Sequence, residues 1–130
     1  MVIEEGTLEI LGDIEYADAS ASWAFIVKKA APATGVAISV APSVKRIAGA
    51  YLVLAGKVTG TNSVEPLAVD GNMNANISEL VTARTFVRAT EVSSALSTGV
   101  TINYSTRALK NPPPLLTQYL EQYNLDRIAK

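Results

Sequence analysis

The chain of 130 residues contains no histidine and no cysteine. Those two side chains carry most nucleophilic, acid-base and transition-metal chemistry near neutral pH, so their absence points away from catalysis. It also removes every metal site built on imidazole or thiolate, and every disulfide staple. Charge is scarce as well: 18% of residues are charged and 48% are hydrophobic. A typical soluble chain carries about 25% charged residues. A subunit that buries much of its exterior against copies of itself needs fewer solvating charges, and an Ala-rich monomer is the alternative reading. Phosphate-cradling glycine loops and the dense carboxylate spacing of a calcium loop are missing, so no cofactor, metal or catalytic residue is expected.

No stretch approaches the roughly 18 to 20 apolar residues of a membrane span. The start, Met1 to Gly6, has Glu4 and Glu5 where the basic region of a signal peptide would sit, which predicts synthesis and residence in a cytoplasm.

The net charge of -1 conceals a sorting of signs along the chain. Glu4, Glu5, Glu9, Asp13, Glu15 and Asp18 precede the first base, and Lys28, Lys29, Lys45, Arg46 and Lys57 follow without an acid among them. Such blocks either pair one subunit with another, or pair within one fold.

Alternation of apolar and polar residues predicts an N-terminal hairpin or meander over residues 1–30, with a turn at Gly12-Asp13 and Trp23, Phe25 and Val27 on one packed face. Val36 to Val40 is the clearest strand. Pro42-Ser43 then introduces a basic turn holding Lys45 and Arg46, and Tyr51 to Thr59, apolar on both faces, follows as its expected antiparallel neighbour. Val64 to Ile77 reads as an edge strand or as a hairpin turning at Asp70-Gly71. Ser78 to Ser97 reads as a helix capped by Ser78 and closed by Gly99, or, over Thr82 to Val92, as a strand in a hairpin with Val100 to Thr106. After Pro112-Pro113-Pro114, Leu115 to Ile128 has the spacing of a terminal amphipathic helix, docking on a neighbouring subunit or on its own sheet.

The order of these features resembles the coat proteins of single-stranded RNA bacteriophages. The resemblance rests on VAISVAPSVKRIAGAYLVLAGKVTGT, Val36 to Thr61, and on TARTFVRATEVSSALS and PPLLTQYLEQYN, which are similar to that family's two terminal helices. It implies one α+β domain over residues 1–130: an antiparallel meander sheet over 36–77 behind the N-terminal hairpin, and C-terminal helices within 78–130, paired as an intertwined dimer. It further implies a virion subunit assembled in a host cytoplasm into an icosahedral shell around RNA. Ala37 and Ser39 match the small residues of the family's RNA-facing sheet, whereas Leu52 and Leu54 stand where polar groups belong, so contact with RNA is expected to be mostly non-specific. Ser39, Lys45, Arg46 and Lys57 are the candidate RNA contacts. Trp23, Leu116, Tyr119, Leu120 and Tyr123 are the candidate interface anchors. A phage decoration or tail-tube subunit that needs no RNA is the alternative, followed by a non-viral binding module, with an enzyme last.

Overall fold

The computed structural model of the chain describes residues 1–28, 35–85 and 99–113, together with Leu116, Gln118 and Glu121. Its period-two segments form seven strands: β1 (Val2–Glu4), β2 (Leu8–Ile10), β3 (Ala24–Lys28), β4 (Val36–Val40), β5 (Arg46–Gly60), β6 (Leu67–Asn76) and β7 (Val100–Tyr104). Helix α1 (Ser78–Thr85) separates β6 from β7, and a single turn, α2 (Arg107–Lys110), follows β7.

All seven strands belong to one sheet, and every pairing is parallel. β1 pairs with β3 and β2 with β4, so the expected N-terminal hairpin is absent. β4 and β5 are neighbours as expected, but in parallel: Val36 lies opposite Lys57, and Val40 opposite Gly60. The chain therefore winds as a coil. β1 and β2 form one turn, β3 and β4 the next, and β5 alone spans a third, its first half beside β3 and its second beside β4. β6 and β7 stack below it. Parallel strands need a long return path between them, and here the rest of each turn supplies it.

The antiparallel α+β dimer is thus replaced by a curled parallel sheet with one eight-residue helix among the described residues. The physical reason is that alternation places side chains on faces without setting strand direction. Asp70-Gly71 likewise does not turn: β6 runs straight through it, and Gly71 lies opposite Gly49. A Cβ at Gly71 would stand 2.0 Å from the Gly49 carbonyl oxygen, so only glycine lets the two backbones approach there.

Stacked turns place like on like. Ile3, Val27 and Val53 form one inward ladder, Ile14, Ile47, Val69 and Ile102 another, and Leu8, Ile38 and Val58 a third. Tyr51 stacks on Phe25 with ring centroids 5.2 Å apart. The inward parity changes between Val53 and Val58, where Gly56 takes a φ of 102° and the register with both β3 and β6 shifts. That bulge bends β5 from one wall of the coil to the next. Burying β-branched ladders of this kind is worth about 1.5–3 kcal/mol per side chain before entropy is counted.

α1 begins at Ser78 as expected, although the Asn76 side chain supplies the acceptor, taking the Ser78 N–H at 3.2 Å. Leu80 seats it against Gly60, whose absent side chain makes the space.

Candidate functional site

The basic residues proposed for phosphate contact all sit on β5 or on the turn before it, and each meets an acid. Asp13 Oδ1 accepts the backbone N–H groups of Lys45 at 2.7 Å and Arg46 at 3.2 Å. Those backbone donors, Lys45 first, hold the Asp13 carboxyl below its ordinary range. The Lys45 ammonium lies 3.2 Å from Glu65, and the Arg46 guanidinium lies 3.4 Å from Glu15 and 3.2 Å from Asp70. Lys57 donates to Glu79 across the bend at Gly56, and that hydrogen bond lowers the Glu79 pKa. The sorted acidic and basic blocks therefore meet within one chain. Ser39 stands half-buried in β4, opposite Glu9 and Thr59, and so on a different wall from Lys45 and Arg46.

Trp23 is anchored within its own chain. Its Nε1 donates to the Ala48 carbonyl at 2.9 Å, and its ring lies against Gly49, whose φ of 125° and missing Cβ admit it. Tyr16 packs on its other side at 4.9 Å. Leu116 is half-buried, while Tyr119, Leu120 and Tyr123 lie outside the described residues.

Two arginines with structural work to do escaped sequence reasoning. Arg84, on α1, is fully buried and donates to the carbonyls of Ala41 at 2.8 Å, Pro42 at 3.3 Å and Glu65 at 2.9 Å, tying the turns after β4 and β5 together. Its Nε has no partner among the described residues, and burial lowers its pKa. Arg107 lies over the Tyr16 ring and donates to the carbonyls of Asp18 and Ala21. Neither has a spacing signal that sets it apart from an ordinary surface cation.

Among the described residues, no group of three or more acids could hold a metal ion, and no helix is long and apolar enough to cross a membrane. A shallow depression of about 300 Å³ beside α1 is lined by Thr59, Asn62, Ser78, Glu79 and Thr82. Its one carboxylate is the one engaged by Lys57.

The remaining feature is the edge of the coil at its first turn. β1 and β2 each have a strand neighbour on one side only among the described residues. The ladders that run through Val27 and Ile38 end there on Ile3 and Leu8, both half-buried, and Met1, Val2 and Leu11 stand exposed around them. The Ile26 N–H donates to Met1 O and the Glu5 N–H to Lys28 O, so residues 1, 3 and 5 bond to β3. The backbone groups of Val2 and Glu4 consequently face the open side. That edge can accept another parallel strand. Glu4, Glu5 and Glu9 line it, which sets like charges against each other if two such edges meet.

No protein-family model, curated protein or solved structure matches this chain.

Proposed function

We propose that this chain is a structural subunit that associates by adding a strand to the open edge of its parallel coil, and that it carries out no catalysis. The observation that carries this reading is the edge itself. Backbone donors and acceptors at Val2 and Glu4 face outward, beside exposed Met1, Val2 and Leu11 and the unfinished ladders above Ile3 and Leu8. The low charge content and the absence of histidine and cysteine support it further. The acidic lining disfavours edge-to-edge contact of two first turns and favours a partner strand that brings cations or neutral residues.

This is the structural-subunit reading without nucleic acid. The RNA-enclosing shell leaned on an antiparallel sheet and interlocked helices, and that support goes with the fold. For RNA to bind at Lys45, Arg46 and Lys57, phosphates would have to displace Glu65, Glu15, Asp70 and Glu79. Sedimentation velocity of the purified chain, with absorbance read at 260 and 280 nm, tests the proposal. Protein-only species whose mass grows with concentration support it. A monomer at every concentration, or particles that carry nucleic acid, would overturn it.

A further inference from the structure

The coil has a second open end. β7 pairs with β6 and with no other strand among the described residues. The Leu67 N–H donates to Gly99 O, so by the alternation of a parallel pair residues 99, 101 and 103 bond to β6. The backbone groups of Val100, Ile102 and Tyr104 therefore face away from it. The ladder through this end is unfinished as well: Ile47 and Val69 are fully buried, whereas Ile102, next in the same row, is only half-buried. Tyr104 is 77% exposed, and Thr101 and Asn103 are exposed beside it.

We infer that the strand received at the first-turn edge is β7 of a second copy, laid in parallel on β1, so that the chains stack head to tail. This rests on the strand-adding reading above and names its partner. The backbones are complementary. At the first turn the free groups belong to Val2 and Glu4, whose side chains are exposed; at the other end they belong to Val100 and Ile102, whose side chains pack inward against the core. In a parallel pair a residue bonds to the two residues that flank its opposite number, so outward-pointing Val2 and Glu4 need inward-pointing partners. With Val2 opposite Thr101 and Glu4 opposite Asn103, β7 supplies them, and Ile3 meets Ile102. The apolar ladders of the two copies then join into one.

Charge selects the same pairing. Glu4, Glu5, Glu9, Asp13, Glu15 and Asp18 belong to the first-turn end, which has no lysine or arginine before Lys28, whereas residues 92–120 carry Arg107 and Lys110 and no acid. β7 itself is uncharged, and Asp70, the acid beside it, is engaged by Arg46 at 3.2 Å and by the Asn103 amide at 2.8 Å. Unlike ends attract, while two first turns set acid against acid. Two like ends joined wall to wall would also run antiparallel and break the row of parallel strands. Because the two surfaces of the joint differ, each copy keeps one free end, and the stack lengthens instead of closing as a dimer.

Closing one end in each of two full-length variants tests the pairing. Glu4→Pro blocks the first-turn end and Tyr104→Pro the β7 end, since each removes an N–H that faces the open side and spares the bonds to β3 or β6. In sedimentation velocity each variant alone is expected to be a monomer. Their equimolar mixture should give a one-to-one dimer that grows no further where the parent forms longer species. If Tyr104→Pro associates as the parent does, or the mixture stays monomeric while the parent associates, head-to-tail pairing is overturned and strand addition at β1 still stands. A parent that is monomeric at every concentration overturns both. Charge at exposed Thr101 guards against a misfolded proline variant. Thr101→Lys, diagonal to Glu4 across the joint, should tighten association and Thr101→Glu loosen it, each about threefold at low salt, with the difference shrinking at high salt. Equal association by these two variants would also overturn the inference.

Discussion

The guanidinium carbon of Arg107 lies 4.1 Å from the centroid of the Tyr16 ring, joining the turn α2 to the loop between β2 and β3. The same guanidinium donates to Asp18 O at 2.7 Å and Ala21 O at 3.3 Å, while Tyr16 covers Trp23. Sheet backbone, Trp23, Tyr16 and Arg107 therefore form four successive layers. Replacing Arg107 by alanine removes the cation–π contact and leaves two carbonyls to water, a loss of about 1–2 kcal/mol. Urea unfolding followed by Trp23 emission should show a lower midpoint and a red-shifted folded-state spectrum. Arg107→Lys, which keeps the charge but not the planar fork, should recover only part of both.

Gly49 is where Trp23 touches the sheet. Alanine there would put a Cβ 2.7 Å from Trp23 Cδ1 at a φ of 125°. Backbone strain and displacement of the indole together predict a loss of about 2–4 kcal/mol for Gly49→Ala. Near-ultraviolet circular dichroism should report the lost tryptophan packing. A spectrum identical to that of the parent would refute the close contact.

Arg84 presents a buried cation whose role is to satisfy carbonyls. Arg84→Met keeps much of the volume but strands the acceptors of Ala41, Pro42 and Glu65, so unfolding should become easier by about 2–4 kcal/mol. Thermal unfolding of this variant is the check, and an unchanged melting temperature would contradict the assignment.

The carboxyl of Asp13 accepts the backbone N–H groups of Lys45 and Arg46, and its folded pKa lies below the ordinary 3.8. A depressed folded pKa contributes stability that is present above 3.8 and is lost as the pH falls below that value toward the folded pKa. Asp13→Asn should therefore flatten the acid limb of the stability profile below about pH 4 and leave its shape near neutrality unchanged. Equilibrium unfolding from pH 2 to 7 measures this.

Strand positions were legible because alternation is a strong signal: Val36–Val40 matches the expected strand, and Val100–Tyr104 lies within the expected one. Direction was not. The short stretch between Val40 and Arg46 suggests a hairpin, yet β5 runs on through the bend at Gly56 before it meets β4. The apolarity of Tyr51 to Thr59 on both faces was the available clue, since strands covered on both sides favour parallel sheets. The sorted charges were legible too, but which acid meets which base depends on stacking that brings Glu15, Arg46 and Asp70 together from three turns of the coil. Arg84 could not be found from its neighbours, because nothing in a helical pattern shows that the carbonyls it serves lie 19 to 43 residues away.

The central claim is that Val2 and Glu4 present an edge ready for another strand. Glu4→Pro removes one outward N–H and leaves the bonds that Met1, Ile3 and Glu5 make to β3, and Glu4→Gln controls for the lost charge. Sedimentation velocity of the three proteins at matched concentrations is the direct measurement. The account predicts concentration-dependent association for the parent and Glu4→Gln, and a monomer for Glu4→Pro with unchanged circular dichroism. Equal association by all three, or none by the parent, would contradict it.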